Sequence, residues 1–275
     1  MGDFWNFDQT ADLLSRGFVQ NSLIALALLG LIGGLLGPMI VARQLSFAVH
    51  GASELSFTGA AAAMLAGISV NTGGVIGAVV AAAVFGFLGN RARERDSVIG
   101  VVMAFGLGLG VLFLHLHGRT GTGFALLTGQ SASITDEGLR AVAITAAVVV
   151  VVLAVIYRPL LFASLDPRVA AASGVPMRTL SVVFAILVGL AAAQGVQIIG
   201  ALLVMSLLIT PAAAAARLSA NPTVVLALSV LFAELAAVGG LILSLAPELP
   251  VSVLVTTISF VIYLLCRLFG LRARS

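Results

Sequence analysis

Residues Arg43 to Gly67 read RQLSFAVHGASELSFTGAAAAMLAG. Crossing the hydrocarbon of a bilayer takes roughly 20 residues of helix, and the purely apolar part of this stretch, Ala60 to Ala66, is too short to do it alone. To span, the helix must begin near Ser46 and carry His50, Ser53 and Glu54 into the membrane. On a helix Ser46, His50, Ser53 and Glu54 fall within about 100° of arc, which makes one polar stripe. His50 and Glu54 are an i, i+4 pair, so both side chains can reach one ion. A carboxylate at bilayer depth costs roughly 2.5–3.5 kcal/mol on insertion scales, and it is expected to face a protein interior or a wet path. An imidazole one turn from a carboxylate suits a first-row divalent metal. The stretch reads as part of a divalent-metal route through a membrane protein.

Composition agrees with that setting. The chain has 275 residues, of which 60% are hydrophobic and 9% charged, with a mean hydropathy of +1.18. Soluble domains carry about a quarter charged residues. The apolar runs are continuous rather than alternating, which excludes a transmembrane β-barrel. The fold class expected is therefore all-α, a polytopic transmembrane helical bundle in which many of the 30 glycines let helices approach closely. The single cysteine, Cys266, excludes an internal disulfide and a cysteine-rich metal site. Residues 1–16 are polar and acidic, with no cleavable signal pattern.

All 14 basic side chains are arginines. A phosphate-binding loop of the G-x-x-x-x-G-K-[ST] kind needs a lysine, so ATP hydrolysis, if it drives transport, belongs to another subunit. The arginines gather at span ends and set orientation; they do not suggest a nucleic-acid partner. The expected partner surface is membrane lipid.

Residues 1–16 (MGDFWNFDQTADLLSR) form an interfacial lead with Phe4, Trp5 and Phe7. Candidate spans follow at about 18–41, 46–68, 72–90, 97–116, 138–157, 179–194, 197–216, 222–245 and 250–269, giving about 8–9 crossings. The sixth and seventh are separated only by Gln194-Gly195, and residues 119–135 leave room for a re-entrant piece. If the first span runs outside to inside, all of the 14 arginines but Arg16, Arg119 and Arg140 fall on the inner side, a clear positive-inside bias. The C-terminus is then cytoplasmic, in a multi-pass protein of the cell (cytoplasmic) membrane. No second domain or internal repeat is visible, so residues 1–275 read as a single transmembrane permease domain. The longest inner connection, 158–178, contains Asp166-Pro167 as a helix start, Arg168 to Ser173 as a short helix and Gly174 as its cap. Such a helix suits another protein's groove.

Taken in order, these pieces resemble the permease subunit of the ABC-type manganese/zinc/iron uptake family across about 17–270. The resemblance is carried by Leu35-Leu36-Gly37 leading to Val41 and Arg43-Gln44-Leu45-Ser46, by His50 to Gly59, and by Asp166 to Val175. It is carried further by Gly200-Ala201-Leu202-Leu203 with Ser206 to Ala213, and by Ser244 to Pro250. It implies a permease that pairs with a second permease copy (a homodimer or a paired permease), a cytoplasmic ATPase subunit and an extracellular or periplasmic metal-binding protein. It also implies that Asp166, Pro167, Arg168, Gly174 and Val175 belong to the segment contacting the ATPase. The chain would bind no permanent cofactor and would itself be no enzyme; Mn, Zn or Fe(II) would be the cargo. One departure stands at the start of the second span, where the family has Gly-Asp, three residues, then His. Here those positions are Val49, His50 and Glu54, so acid and imidazole are exchanged and the acid is longer. Mn(II) and Zn(II) both accept such ligands, and the choice stays open.

Competing readings attach to each candidate. His50 and Glu54 could bond each other, or a neighbouring arginine, and only hold the bundle together. His115 and His117, at the outer end of the fourth span, could collect metal, but i and i+2 point about 160° apart on a helix, which favours plain interfacial histidines. Glu234 is a second acid at bilayer depth, either on the ion path or bonded to a partner. Glu248 matches an outer-loop acid of the family, where a binding protein would dock or water would solvate it. Met64, Met103 and Met205 read as packing, and Pro211 frees a backbone carbonyl. The alternative function is a proton-coupled secondary transporter of a cation using Glu54 and Glu234, whose usual paired repeats are not found here. An intramembrane enzyme is weaker still, since no H-E-x-x-H or G-x-S-x-G occurs.

Overall fold

Long apolar runs divided by short polar turns can satisfy their backbone in lipid only by coiling on themselves, and every regular element among the described residues is helical. The computed structural model describes residues 7–87, 92–118, 134–200, 204–247 and 249–272. Its helices are α1 (Phe7–Leu14), α2 (Gly17–Ala42), α3 (Ser46–Leu65), α4 (Val70–Phe87), α5 (Ala92–His117) and α6 (Asp136–Leu165). They continue as α7 (Pro167–Ala172), α8 (Met177–Ile198), α9 (Val204–Leu208), α10 (Thr210–Leu218), α11 (Pro222–Leu245) and α12 (Val251–Arg272). Phe4, Trp5, Glu248, Arg119 and nearly all of the suspected re-entrant stretch lie outside the described residues.

Six helices (α2, α5, α6, α8, α11 and α12) are long and apolar enough to cross a membrane by length and composition. This is a multi-pass architecture, but the expected 8–9 spans are not confirmed on that measure. The shortfall has physical causes. α3 has the length, at 20 residues, but its own Ser, His and Glu stripe lowers its hydropathy. The apolar segments Val70–Phe85 and Val204–Leu218 are shorter than a full span. Two boundaries also differ from expectation. α8 runs straight through Gln194 and Gly195, both buried inside it, because Gly195 leaves room for Val204 beside the helix. The next apolar run is not one helix but two, α9 and α10, broken at Ile209. Pro211 sits in the first turn of α10 and offers no N–H to the Leu207 carbonyl. That oxygen faces α2, where a methyl built on Gly33 would lie 3.2 Å from it.

α2 lies at the centre, with thirteen buried positions including Leu26, Leu29, Ile32, Leu36 and Ile40. It packs against α6, α10 and, over much of its length, α11. Gly30, Gly33, Gly34 and Gly37 form its contact stripe: a methyl on Gly34 would lie 2.5 Å from Val230 Cα, and one on Gly37 2.7 Å from the Leu208 carbonyl. Such small-residue seams replace the hydrophobic drive that lipid does not supply. Gly59 of α3 against Gly73 and Gly77 of α4 is a second seam, and Gly189 of α8 against Ala78 a third.

α6 is 30 residues long and contains Pro159, so the connection that follows it is shorter than the expected 158–178. Tyr157 to Leu165 continue the helix. At 1.5 Å per residue this element rises roughly 45 Å, well beyond a hydrocarbon core of about 30 Å. Thr135 caps it by accepting from Gly138 N at 3.2 Å, and Asp136 accepts from Asn21 Nδ2 at 2.7 Å. Those contacts tie its start to the start of α2.

Candidate functional site

α2 closes and α3 begins through a left-handed turn. Gln44 has φ +54°, Leu45 N donates to Ile40 O at 2.9 Å and Gln44 N to Val41 O at 3.2 Å. These are the two bonds of a Schellman closure. The same closure ends α3 at Gly67 (φ +70°) and α7 at Gly174 (φ +82°). Arg43, the residue before the turn, donates to Ser181 Oγ of α8 at 2.6 Å and lies 5.9 Å over the Phe184 ring. The entry of α3 is thereby pinned between α2 and α8.

From that fixed start the helical repeat delivers the polar stripe. Ser46 is the first residue of α3 and is half-buried; His50 follows one turn later, also half-buried. Glu54, another turn along, is 4% exposed. His50 Nδ1 and Glu54 Oε2 are both buried without a hydrogen-bond partner among the described residues. Ser53 is fully enclosed and donates to the Val49 carbonyl at 2.9 Å. Thr58 Oγ1 donates to Gly106 O of α5 at 2.7 Å and locks the next turn in place. The pair therefore lies on the helix that touches α4, α5 and α8, oriented by packing, with one polar atom of each side chain unsatisfied among the described residues. An unpaired buried acceptor is costly, and an intermittently bound cation would offset that cost.

Glu234 sits elsewhere. It is half-buried midway along α11 and lies against α2, where a methyl on Gly30 would come within 3.3 Å of its Oε1. No group of three or more His, Cys, Asp or Glu side chains converges among the described residues, so Glu234 is not brought together with His50 and Glu54. His115 and His117 stand on the last turn of α5, with His115 exposed and His117 half-buried.

The short helix α7 is built as its sequence suggests. Asp166 Oδ1 accepts from Arg168 N at 3.1 Å and Val169 N at 3.0 Å, which caps α7, and Pro167 occupies its first turn. Val175 N donates to Ala170 O at 3.1 Å beyond Gly174. Only Ala170 of this helix is buried; Arg168 and Val169 face outward. Sequence reasoning passed over two features: the Arg43 clamp on α8, and an amide pair in which Gln197 Nε2 donates to Asn71 Oδ1 at 2.8 Å. A polar residue near each end of an apolar run was the available signal for the latter.

A family model for the ABC 3 transport family matches residues 15–270. The chain belongs to that family. As a family member it is 31% identical over 242 residues to the manganese transport system membrane protein MntC of Halalkalibacterium halodurans, covering 86% of this chain and 81% of that one. It is 26% identical over 249 residues to the manganese import system permease protein ScaB of Streptococcus parasanguinis, covering 90% and 89%. Its fold matches PsaBC from Streptococcus pneumoniae in complex with Fab, with a TM-score of 0.86, 22% identity, and coverage of 98% of this chain and 100% of that one. The family resemblance met in the sequence thus holds over nearly the whole chain.

Proposed function

We propose that this chain is the membrane permease subunit of an ATP-driven importer that moves a divalent transition metal ion, with manganese the foremost cargo. Membership of the ABC 3 transport family together with relatives named as manganese permeases supports the reading. The observation that carries it to particular residues is the pair of half-buried His50 and buried Glu54, each with a buried atom unsatisfied among the described residues. Nitrogen plus carboxylate oxygen accommodates Mn(II), and also Zn(II) or Fe(II). Two side chains do not complete a coordination shell, so hydroxyls such as Ser46 and Ser53, backbone carbonyls, water or a second permease supply the rest.

In this reading residues 1–275 form one permease domain, and α2 to α6, α8, the broken α9–α10 unit, α11 and α12 alternate across the membrane. The antiparallel seams α3–α4 and α2–α11 are compatible with that alternation. Asp136 and Asn21 lie at the outer face; Arg43, α7 and the C-terminus lie at the cytoplasmic face. A metal-binding protein delivers the ion from outside, with Glu248, His115 and His117 as candidate outer contacts. His50 and Glu54 hold it transiently, and ATPase subunits docked on Asp166 to Val175 move the helices of this permease and its partner permease. A proton-coupled transporter is not favoured, because Glu234 stands apart from the His50–Glu54 pair.

Manganese uptake in cells lacking other importers tests the assignment. His50→Ala and Glu54→Gln are each expected to cut uptake about tenfold or more while the protein still reaches the membrane. Unchanged uptake in both variants refutes the pathway.

A further inference from the structure

A groove of about 550 Å³ runs along α3 and α4. Leu55, Ala62 and Ala66 place it roughly 100° around α3 from Glu54, off the ligand stripe. Its floor is the seam of Gly59, Gly73 and Gly77, where neither helix carries a side chain and the surface sinks to the backbone. Its wall is Ile76, Val80 and Val84, one turn apart on α4 and 58%, 58% and 45% exposed. One end is closed by Leu55, Phe85 and Val102, which pack with buried Ile99 in a small apolar cluster of their own. The other end, at Ala66, Ile68 and Thr72, is exposed beside the α3–α4 turn. Among the described residues no charged side chain lines the groove, and its hydroxyls are those of Thr58 and Thr72. Thr58 is already committed to Gly106 O at 2.7 Å.

We propose that this groove seats one acyl chain of a membrane phospholipid, with its methyl end at Phe85 and its headgroup beside Ile68 and Thr72. The lining is uncharged, as is a hydrocarbon tail, and the open side looks outward past the apolar wall of α4. Dimensions favour a chain over a helix. From Thr72 to Phe85 α4 rises roughly 20 Å, enough for the tail of one leaflet, about 15 Å deep. Spread over that length, 550 Å³ is a mean cross-section of about 28 Å². A helix about 10 Å across needs roughly 80 Å², so a helix of a second copy does not enter. Carbon atoms pack at about 3.5–4.0 Å, so a polymethylene chain one carbon thick does. Lipid supplies no hydrophobic drive; the closed end and contact on three sides retain the chain by dispersion. Seated there, the chain backs Leu55 and Thr58, which flank Glu54 along α3. The leaflet is the outer one, and that detail alone rests on the orientation proposed above.

The whole transporter is extracted into mild detergent, washed, and photolysed with a phospholipid carrying a diazirine either at the end of its acyl chain or next to the ester. Mass spectrometry then maps the label. The terminal diazirine is expected to mark Val84, Phe85 or Val102, and the ester-proximal one Ala66, Ile68 or Thr72. Label missing from the groove, no denser there than along α12, or in the reverse order overturns the proposal. Ala62→Leu, which fills the groove with a larger side chain, is expected to lose one retained phospholipid per chain. Val155→Leu, on the exposed face of α6, is expected to retain the parent number. Equal retention in all three proteins also overturns the site. In a Cys266→Ala background, a disulfide between two chains through Val80→Cys would mean that a second copy fills the groove, and the lipid assignment falls. None of these readouts measures transport, so their failure leaves the importer reading standing.

Discussion

Gln44 is the one residue other than glycine with a positive φ among the described residues, and it holds the turn into the candidate site. A side chain in the left-handed region costs about 1 kcal/mol relative to glycine. Gln44→Gly is therefore expected to raise thermal stability by up to about that amount, measured by unfolding of the purified protein in detergent. A drop would mean that the Gln44 side chain holds contacts worth more than the strain. At this scale the sequence was informative where spacing alone decides. His50 and Glu54 lie one turn apart in any helix, and their placement on a mostly buried face followed from the cost of a charge in lipid. It was uninformative about Arg43, whose partners Ser181 and Phe184 come from a helix more than a hundred positions away. A positive-inside count assigns that arginine only a side of the membrane.

Among elements, the glycine seams make the sharpest expectation. Gly34→Ala places a methyl 2.5 Å from the backbone of Val230, and backbone cannot step aside, so a loss of about 1–3 kcal/mol or more is expected on thermal unfolding. Gly108→Ala, on α5 with nothing within 4 Å, is expected to be neutral or to stabilise by up to about 1 kcal/mol. Equal effects of the two would refute the seam. Element boundaries were the least legible part of the chain. Gln194-Gly195 resembles a break, since polar and flexible residues usually interrupt spans, yet tertiary packing against Val204 carries α8 past it. Arg158-Pro159 reads as a stop, but proline within a helix removes one bond and α6 continues for six more residues. The Asp166 cap and the Gly174 closure were legible, because capping depends on neighbours in sequence.

Across the whole molecule, large apolar side chains are exposed along α5 (Val101, Phe105, Val111), α6 (Ile144, Val151, Val155) and α12 (Phe260, Leu268, Phe269). In a multi-pass protein such faces meet lipid or another subunit. Orientation is open to direct measurement. In a Cys266→Ala background, Glu137→Cys is expected to react with a membrane-impermeant thiol reagent in intact cells, and Ser173→Cys only after the membrane is opened. The reverse pattern would invert the proposed faces.

The length of α6 has a mechanical corollary. Anchored at one end beside α2 and exceeding the hydrocarbon by roughly 15 Å, it would act as a stilt for a partner gripping α7, lifting that foothold clear of the lipid interior. Removing one helical turn from the overhang, roughly four residues, would lower that foothold and swing its grip sideways by about 40°. Such a deletion is expected to leave insertion intact while ATP hydrolysis in the assembled transporter proceeds without uptake, read by measuring both rates in the same vesicles.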